Sequence, residues 1–244
     1  MRRVLILGGT SEGRALATAL AEEPDVTVVS SLAGRVRNPR LPVGEVRVGG
    51  FGGVDGLADW LRDNDIDAVV DATHPFASRI TGNAAAATRR VDVPLLVLRR
   101  SEWVAGPGDR WTTVASLQDA AAALPADARV LLTIGRQGVD AFVDSPGWFL
   151  IRAIDPPTVA VPQHGEVLLA RGPFTVDDEV ALMRENRIDV VVTKNSGGAL
   201  TSAKLDAARR LRLPVVMVAR TAIPEGAAST ADVDEATDWA AGRA

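Results

Sequence analysis

Residues 3–20 read RVLILGGTSEGRALATAL. Val4 to Leu7 form an unbroken apolar run, which is the pattern of a strand buried on both faces. Gly8 and Gly9 end that run, and from Glu12 to Ala21 the apolar residues recur at helical spacing. A buried strand, a glycine turn and a helix in direct succession open a βαβ unit. The pattern predicts a parallel sheet rather than a sandwich or a bundle.

The same alternation continues on both sides of a break. Strands are expected near Val26–Ser30, Glu45–Val48, Ala68–Asp71 and Leu95–Leu98, with helices near Val54–Asn64 and Phe76–Arg90. Ala-Gly-Pro-Gly-Asp then interrupts the pattern between Val104 and Arg110, and an Ala-rich helix near Leu117–Leu124 leads into a second series. There the strands are Val130–Ile134, Trp148–Ile154, Val167–Ala170, Val190–Thr193 and Val215–Ala219, and the helices Gln137–Val143, Val176–Asn186 and Ala199–Leu211. The expected fold class is α/β: two Rossmann-like domains with mainly parallel sheets and a cleft between them. Residues 1–103 form the cofactor-binding domain and residues 104–244 complete the cofactor and substrate cleft.

Composition narrows the function. With 244 residues, 47% hydrophobic and 24% charged, the chain has the profile of a globular protein. No apolar run reaches the roughly 20 residues of a membrane span, and the N-terminus lacks the layout of a signal peptide, so a cytoplasmic location is expected, without a membrane partner. Cysteine is absent, which removes disulfides and thiolate chemistry. A net charge of −4 argues against nucleic acid as a partner, because such proteins carry a basic stripe. With two histidines and no cysteine, no metal site is expected.

Several motifs sit where strands should end, the edge at which open α/β sheets bind ligands. Gly8 and Gly13 match the first and third glycines of the dinucleotide fingerprint, with Thr10 in the middle place. Gly8, Gly9, Thr10, Ser11, Gly13 and Arg14 are therefore candidates to hold a phosphate, with Thr10 and Ser11 hydroxyls as donors. Glu12 is an awkward neighbour for an anion and is expected to pair with Arg14. After the second strand, Ser30, Ser31 and Arg35 stand where a ribose-binding carboxylate would mark an NAD enzyme. Hydroxyls plus an arginine suit a 2′-phosphate, so the expected cofactor is NADPH rather than NADH.

VGGFGG, residues 48–53, gives Gly50 and Gly52 as backbone that can approach a cofactor closely. DATHPFA, residues 71–77, adds Thr73, His74, Pro75 and Phe76. DVVVTKNSGG, residues 189–198, repeats the strand, turn and helix logic and adds Lys194, Asn195, Ser196 and Gly197. Arginines can bind the carboxylates of an acidic substrate through paired hydrogen bonds: Arg99, Arg100, Arg136, Arg152 and Arg171 are the candidates, with Arg136 and Arg171 just past strands. No residue presents itself as a catalytic acid.

GGTSEGR, SLAGR, GGFGG, DATHPFA and TKNSGG, in this order and across nearly the whole chain, resemble the precorrin-6A reductase family. That resemblance implies NADPH-dependent reduction of one double bond of the precorrin-6A macrocycle to give precorrin-6B in cobalamin biosynthesis, so the substrate partner is a tetrapyrrole. A cobalt-precorrin-6A reductase is the close counterpart. Two other readings compete: a non-catalytic NADPH-binding sensor module, and a sugar-nucleotide dehydrogenase or epimerase. The last usually needs a Tyr and Lys pair, and this chain has no tyrosine.

Overall fold

In the computed structural model, which describes residues 1–34 and 40–243, the chain divides into two compact units. The first comprises Met1–Ser101 together with Thr221–Ala244, and the second Glu102–Arg220. This corrects the sequence reading, which assigned everything after residue 103 to one domain: the last residues return to the first unit.

The first unit holds β1 (Arg2–Leu7), α1 (Ser11–Ala21), β2 (Val26–Leu32), β3 (Glu45–Val48), α2 (Val54–Asp63), β4 (Ala68–Asp71), α3 (Ser78–Val91) and β5 (Leu95–Leu98). The second holds β6 (Trp111–Val114), α4 (Leu117–Ala122), β7 (Arg129–Thr133), β8 (Trp148–Ala153), β9 (Gly165–Leu169), α5 (Val176–Glu185), β10 (Val190–Lys194), α6 (Ala203–Leu211) and β11 (Val215–Val218). Then β12 (Ala228–Thr230) and α7 (Val233–Ala241) complete the first unit. The helix expected at Gln137–Val143 is a short 3-10 turn at Val139–Phe142, and another 3-10 turn at Ala199–Thr201 precedes α6.

Both sheets are parallel, and both have the same plan. The first runs β12-β5-β4-β1-β2-β3 and the second β6-β11-β10-β7-β8-β9. In each, the strand order reverses beside a central strand, between β1 and β4 in one and between β7 and β10 in the other. That is the doubly wound arrangement, in which the crevice at the reversal receives the ligand. The second sheet is built from six strands consecutive in the chain, whereas the sixth strand of the first sheet comes from outside the run that builds its other five. β6, which follows β5 in the chain, pairs with β11, and β12, which follows β11, pairs with β5.

Alternation explains the two-sided cores. Val4 and Ile6 pack on one face of the first sheet with Leu16 and Leu20 of α1 and with Ala236 and Ala240 of α7. Leu5 and Leu7 pack on the other face with Leu57 and Leu61 of α2 and Ala84 of α3. The second unit does the same with Leu131 and Val191 against Val180, Met183, Leu205 and Ala208. Strands with both faces covered must be apolar at every position, which is why β1, β7 and β10 read as continuous apolar runs. Among the described residues no helix is long and apolar enough to cross a membrane.

Candidate functional site

In the first unit the motifs converge on the carboxyl edge of the sheet. Leu7 lies in register with Ser31 on one side and Asp71 on the other, and Ser31 in turn with Arg47. Backbone bonds close the edge: Gly8 N–H donates to Ser31 O (2.9 Å), Ala72 N–H to Leu7 O (2.9 Å) and Gly49 N–H to Leu32 O (2.9 Å). The turn at 8–13, the end of β2, the glycine loop at 49–53 and the stretch 72–77 thus form one contiguous rim at the strand reversal.

The turn is shaped by its glycines. Gly9 has φ of +127°, a conformation that residues with a side chain rarely adopt. A Cβ on Gly13 would lie 3.2 Å from the Ala72 Cβ, so the third glycine lets α1 approach the end of β4 closely. Thr10 caps α1: its hydroxyl accepts from Gly13 N–H (3.1 Å) and donates to Ala72 O (2.7 Å). The expectation that this hydroxyl donates to a phosphate is therefore corrected, since its proton is already engaged within the fold.

Glu12 has a different partner from the one expected. Its carboxylate faces Arg100 at 3.5 Å and accepts from Ser11 Oγ at 3.1 Å, whereas no bond joins it to Arg14 among the described residues. Burial pushes its pKa up, but its own backbone N–H, Arg100, Ser11 and Thr10 together hold it below the usual carboxylate range. The amino end of α1 thus already attracts a negative group. Arg100 is engaged there, and Arg99 donates to Thr221 O (3.0 Å).

Two buried polar atoms on this rim lack protein partners. Ser30 is 1% exposed and Asp71 2%, yet Ser30 Oγ and Asp71 Oδ2 make no hydrogen bond. Such atoms are costly unless a ligand or water completes them. The other Asp71 oxygen accepts from Thr73 N–H (3.0 Å) and Thr73 Oγ (2.6 Å), fixing the turn that precedes α3. That turn also closes Ala77 N–H on His74 O (2.7 Å) and delays α3 to Ser78, two residues later than expected. His74 is exposed, with Nδ1 accepting from Phe76 N–H at 3.3 Å, and Pro75 is buried.

Arg47, which sequence reasoning passed over, lies on β3 beside this edge. Its guanidinium donates to Ser31 Oγ (3.3 Å), Gly49 O (2.8 Å) and Gly50 O (2.7 Å), and sits 3.8 Å from the centre of the Phe51 ring. Gly52 and Gly53 follow with φ of +82° and +98° and open into α2. Arg35 lies outside the described residues.

In the second unit the equivalent rim joins the ends of β7 and β10. Lys194 Nζ donates across the reversal to Ile134 O (3.1 Å), and burial pushes its pKa down. Asn195 spends both ends of its side-chain amide on Trp103: Oδ1 accepts from Trp103 N–H (2.9 Å) and Nδ2 donates to Trp103 O (3.0 Å). The Trp103 indole donates to Gly198 O (3.0 Å), so this turn ties down the segment that enters the unit. Ser196 N–H bonds Lys194 O (2.7 Å), and Gly197 has φ of +67°. Arg136 follows β7 and is partly buried, and Arg171 is exposed just past β9. Arg152 does not join them. Both its terminal nitrogens pair with Glu179 (2.9 and 2.8 Å), side-chain exposures are 9% and 2%, and the group lies 4.2 Å from the Phe174 ring centre. This buried pair joins β8 to α5 and leaves Arg152 unable to receive a substrate carboxylate, which corrects that expectation.

The first rim fits a dinucleotide: a glycine turn at the amino end of a helix, a positive group beside the end of β2, and buried polar atoms awaiting partners. Among the described residues no cluster of His, Cys, Asp or Glu could hold a metal ion. Comparison with known proteins covers nearly the whole chain. Residues 3–241 match the family described as precorrin-6x reductase CbiJ/CobK. A precorrin-6A reductase of Rhodococcus erythropolis is 63% identical over 98% of this chain and 97% of its own length. One from Mycobacterium tuberculosis (strain ATCC 25618 / H37Rv) is 53% identical over 99% and 98%. A solved structure described as CobK precorrin-6A reductase superposes with a TM-score of 0.92 at 43% identity, covering 100% of this chain and 97% of that one.

Proposed function

The chain belongs to the precorrin-6x reductase family, and from that membership we propose that it reduces one double bond of precorrin-6A to give precorrin-6B in cobalamin biosynthesis, with NADPH as reductant. When bound, the nicotinamide supplies a hydride for one ring carbon, and a proton is added at the neighbouring carbon.

The residues of this chain then have separable tasks. The amides of Gly9 and Ser11 at the start of α1 receive the pyrophosphate, and Gly9 and Gly13 keep that approach open. Ser30 Oγ and Asp71 Oδ2, buried and without partners, are ready to bond ribose or amide groups of the cofactor. Thr73, His74 and Phe76 border the same rim, and Arg35 with Ser31 is assigned to the 2′-phosphate. Arg136 and Arg171, just past β7 and β9, are assigned to the acetate and propionate groups of the macrocycle, and Lys194, at the end of β10, to a phosphate or carboxylate. Holding the two reactants in fixed geometry is the main contribution of the protein, because the cofactor brings the chemistry.

The observation that carries this reading is the 63% identity over nearly the full length of both chains, together with intact glycine geometry at the strand reversal. The test is anaerobic incubation with precorrin-6A while NADPH absorbance is followed, with NADH in parallel. NADPH oxidation with production of precorrin-6B is expected, and Arg35→Ala should raise the KM for NADPH more than that for NADH. Binding of NADPH without any turnover would favour the sensor reading instead. Equal rates with both nucleotides would remove the NADPH assignment.

A further inference from the structure

Arg47 is an unneutralised cation. All three acceptors of its guanidinium, Ser31 Oγ, Gly49 O and Gly50 O, are uncharged. None of the ion pairs among the described residues includes it, and the stretch 35–39, Arg-Val-Arg-Asn-Pro, contains no carboxylate that could reach it. A guanidinium offers five N–H donors, so the three bonds leave part of its donor fork unused. Burial lowers its pKa, the sign of a charge whose solvation has been reduced without a counter-ion in return.

Its place is as telling as its charge. Arg47 is in register with Ser31 at the end of β2, the position at which a Rossmann sheet meets the adenosine ribose. One face of the planar group rests on Phe51, which itself packs edge-on against Trp60 at 5.4 Å, so the fork is held in one orientation. A pre-oriented, uncompensated guanidinium at a ribose position is built for a phosphate.

Resting on the NADPH reading above, we propose that Arg47 binds the 2′-phosphate of the adenosine ribose and is a specificity-determining residue for NADPH over NADH. It does so with Ser31, whose hydroxyl it orients. The alternative task for the same side chain is to clamp the glycine loop at 49–53, which would support both nucleotides alike.

The test uses the full-length protein and measures binding of NADPH, NADH, 2′,5′-ADP and 5′-AMP to the wild type, Arg47→Met and Arg47→Lys. Met keeps an apolar stem over Phe51, whereas Lys keeps the charge without the fork. For Arg47→Met, affinity for NADPH and 2′,5′-ADP should fall about 10- to 100-fold, the loss expected when a hydrogen bond to a charged group is removed, with NADH and 5′-AMP changed less than about twofold. Arg47→Lys should recover part of the 2′-phosphate preference. Equal weakening of all four ligands in both variants would reduce Arg47 to a loop clamp and overturn the inference. If wild-type protein itself fails to prefer 2′,5′-ADP over 5′-AMP, the NADPH reading falls first and takes this inference with it.

Discussion

At the scale of single residues, the direction in which a side chain leaves its strand decides its role. Arg152 lies near the end of β8, whereas Arg136 and Arg171 follow their strands; Leu150 two positions earlier packs into the core beneath α5, and alternation sends Arg152 to the same side. There it meets Glu179 inside the protein. A buried ion pair adds little net stability, yet removing one partner strands the other charge. Glu179→Ala is therefore expected to cost about 3–5 kcal/mol, lowering the melting temperature by about 10 °C at roughly 2–4 °C per kcal/mol. The double replacement Arg152→Met with Glu179→Leu should recover most of that loss in a thermal melt. Because Arg152 is assigned no substrate contact, KM for precorrin-6A in the double variant should match the wild type. A selective rise in that KM would return Arg152 to the substrate site.

At the scale of elements, helix α1 shows how a motif and its exception work together. Its amino end carries Glu12, whose carboxylate sits among donors and whose folded pKa is lowered. A lowered carboxylate pKa means a contribution to stability that is full above the unfolded value and is lost as pH falls through the folded one. Glu12→Gln should thus melt lower than the wild type at pH 7, by the equivalent of about 0.3–1 kcal/mol for a charge at a helix end. The gap should close as pH is taken below about 4; a gap unchanged by pH would mean that lost packing, not charge, is responsible. The elements themselves were legible where burial forces a run or a period, as in β1, β7, β10 and α1. They were not legible in β6 and β12, which read Trp-Thr-Thr-Val and Ala-Ser-Thr and sit at sheet edges, where one flank is unpaired and no apolar run is required. Helix α7 did carry a signal: Asp232 caps it, Asp234 and Glu235 fill its first turn, and Gly242 ends it at φ of +81°. The glycine turns of the site could be read because close backbone approach demands glycine. Arg47 could not, because its meaning comes from the register of β2 against β3, which no local spacing encodes.

At the scale of the whole molecule, the chain builds the second unit in one pass and the first in two. β5 is followed not by a sixth strand for its own sheet but by the whole second unit, and only then do β12 and α7 arrive. The late arrivals are not ornaments, since Ala236 and Ala240 are fully buried against the α1 face, with Val233 and Trp239 packed beside them. Each large apolar side chain removed from water contributes about 1.5–3 kcal/mol, and a domain of this kind holds a net stability of only about 5–15 kcal/mol. Uncovering Val4, Ile6, Leu16 and Leu20 in part is thus enough to abolish the fold. Residues 1–101 alone should therefore show no cooperative thermal transition and should bind a hydrophobic dye. Residues 102–220, which contain all six strands of their sheet, should melt cooperatively. Arg99 already reaches Thr221 O at 3.0 Å, so a short flexible linker from Ser101 to Thr221 should restore the first unit as an independent domain. That linked domain should melt cooperatively, whereas a sharp transition for residues 1–101 without β12 and α7 would show that the returning segment is dispensable and that the first core closes by itself.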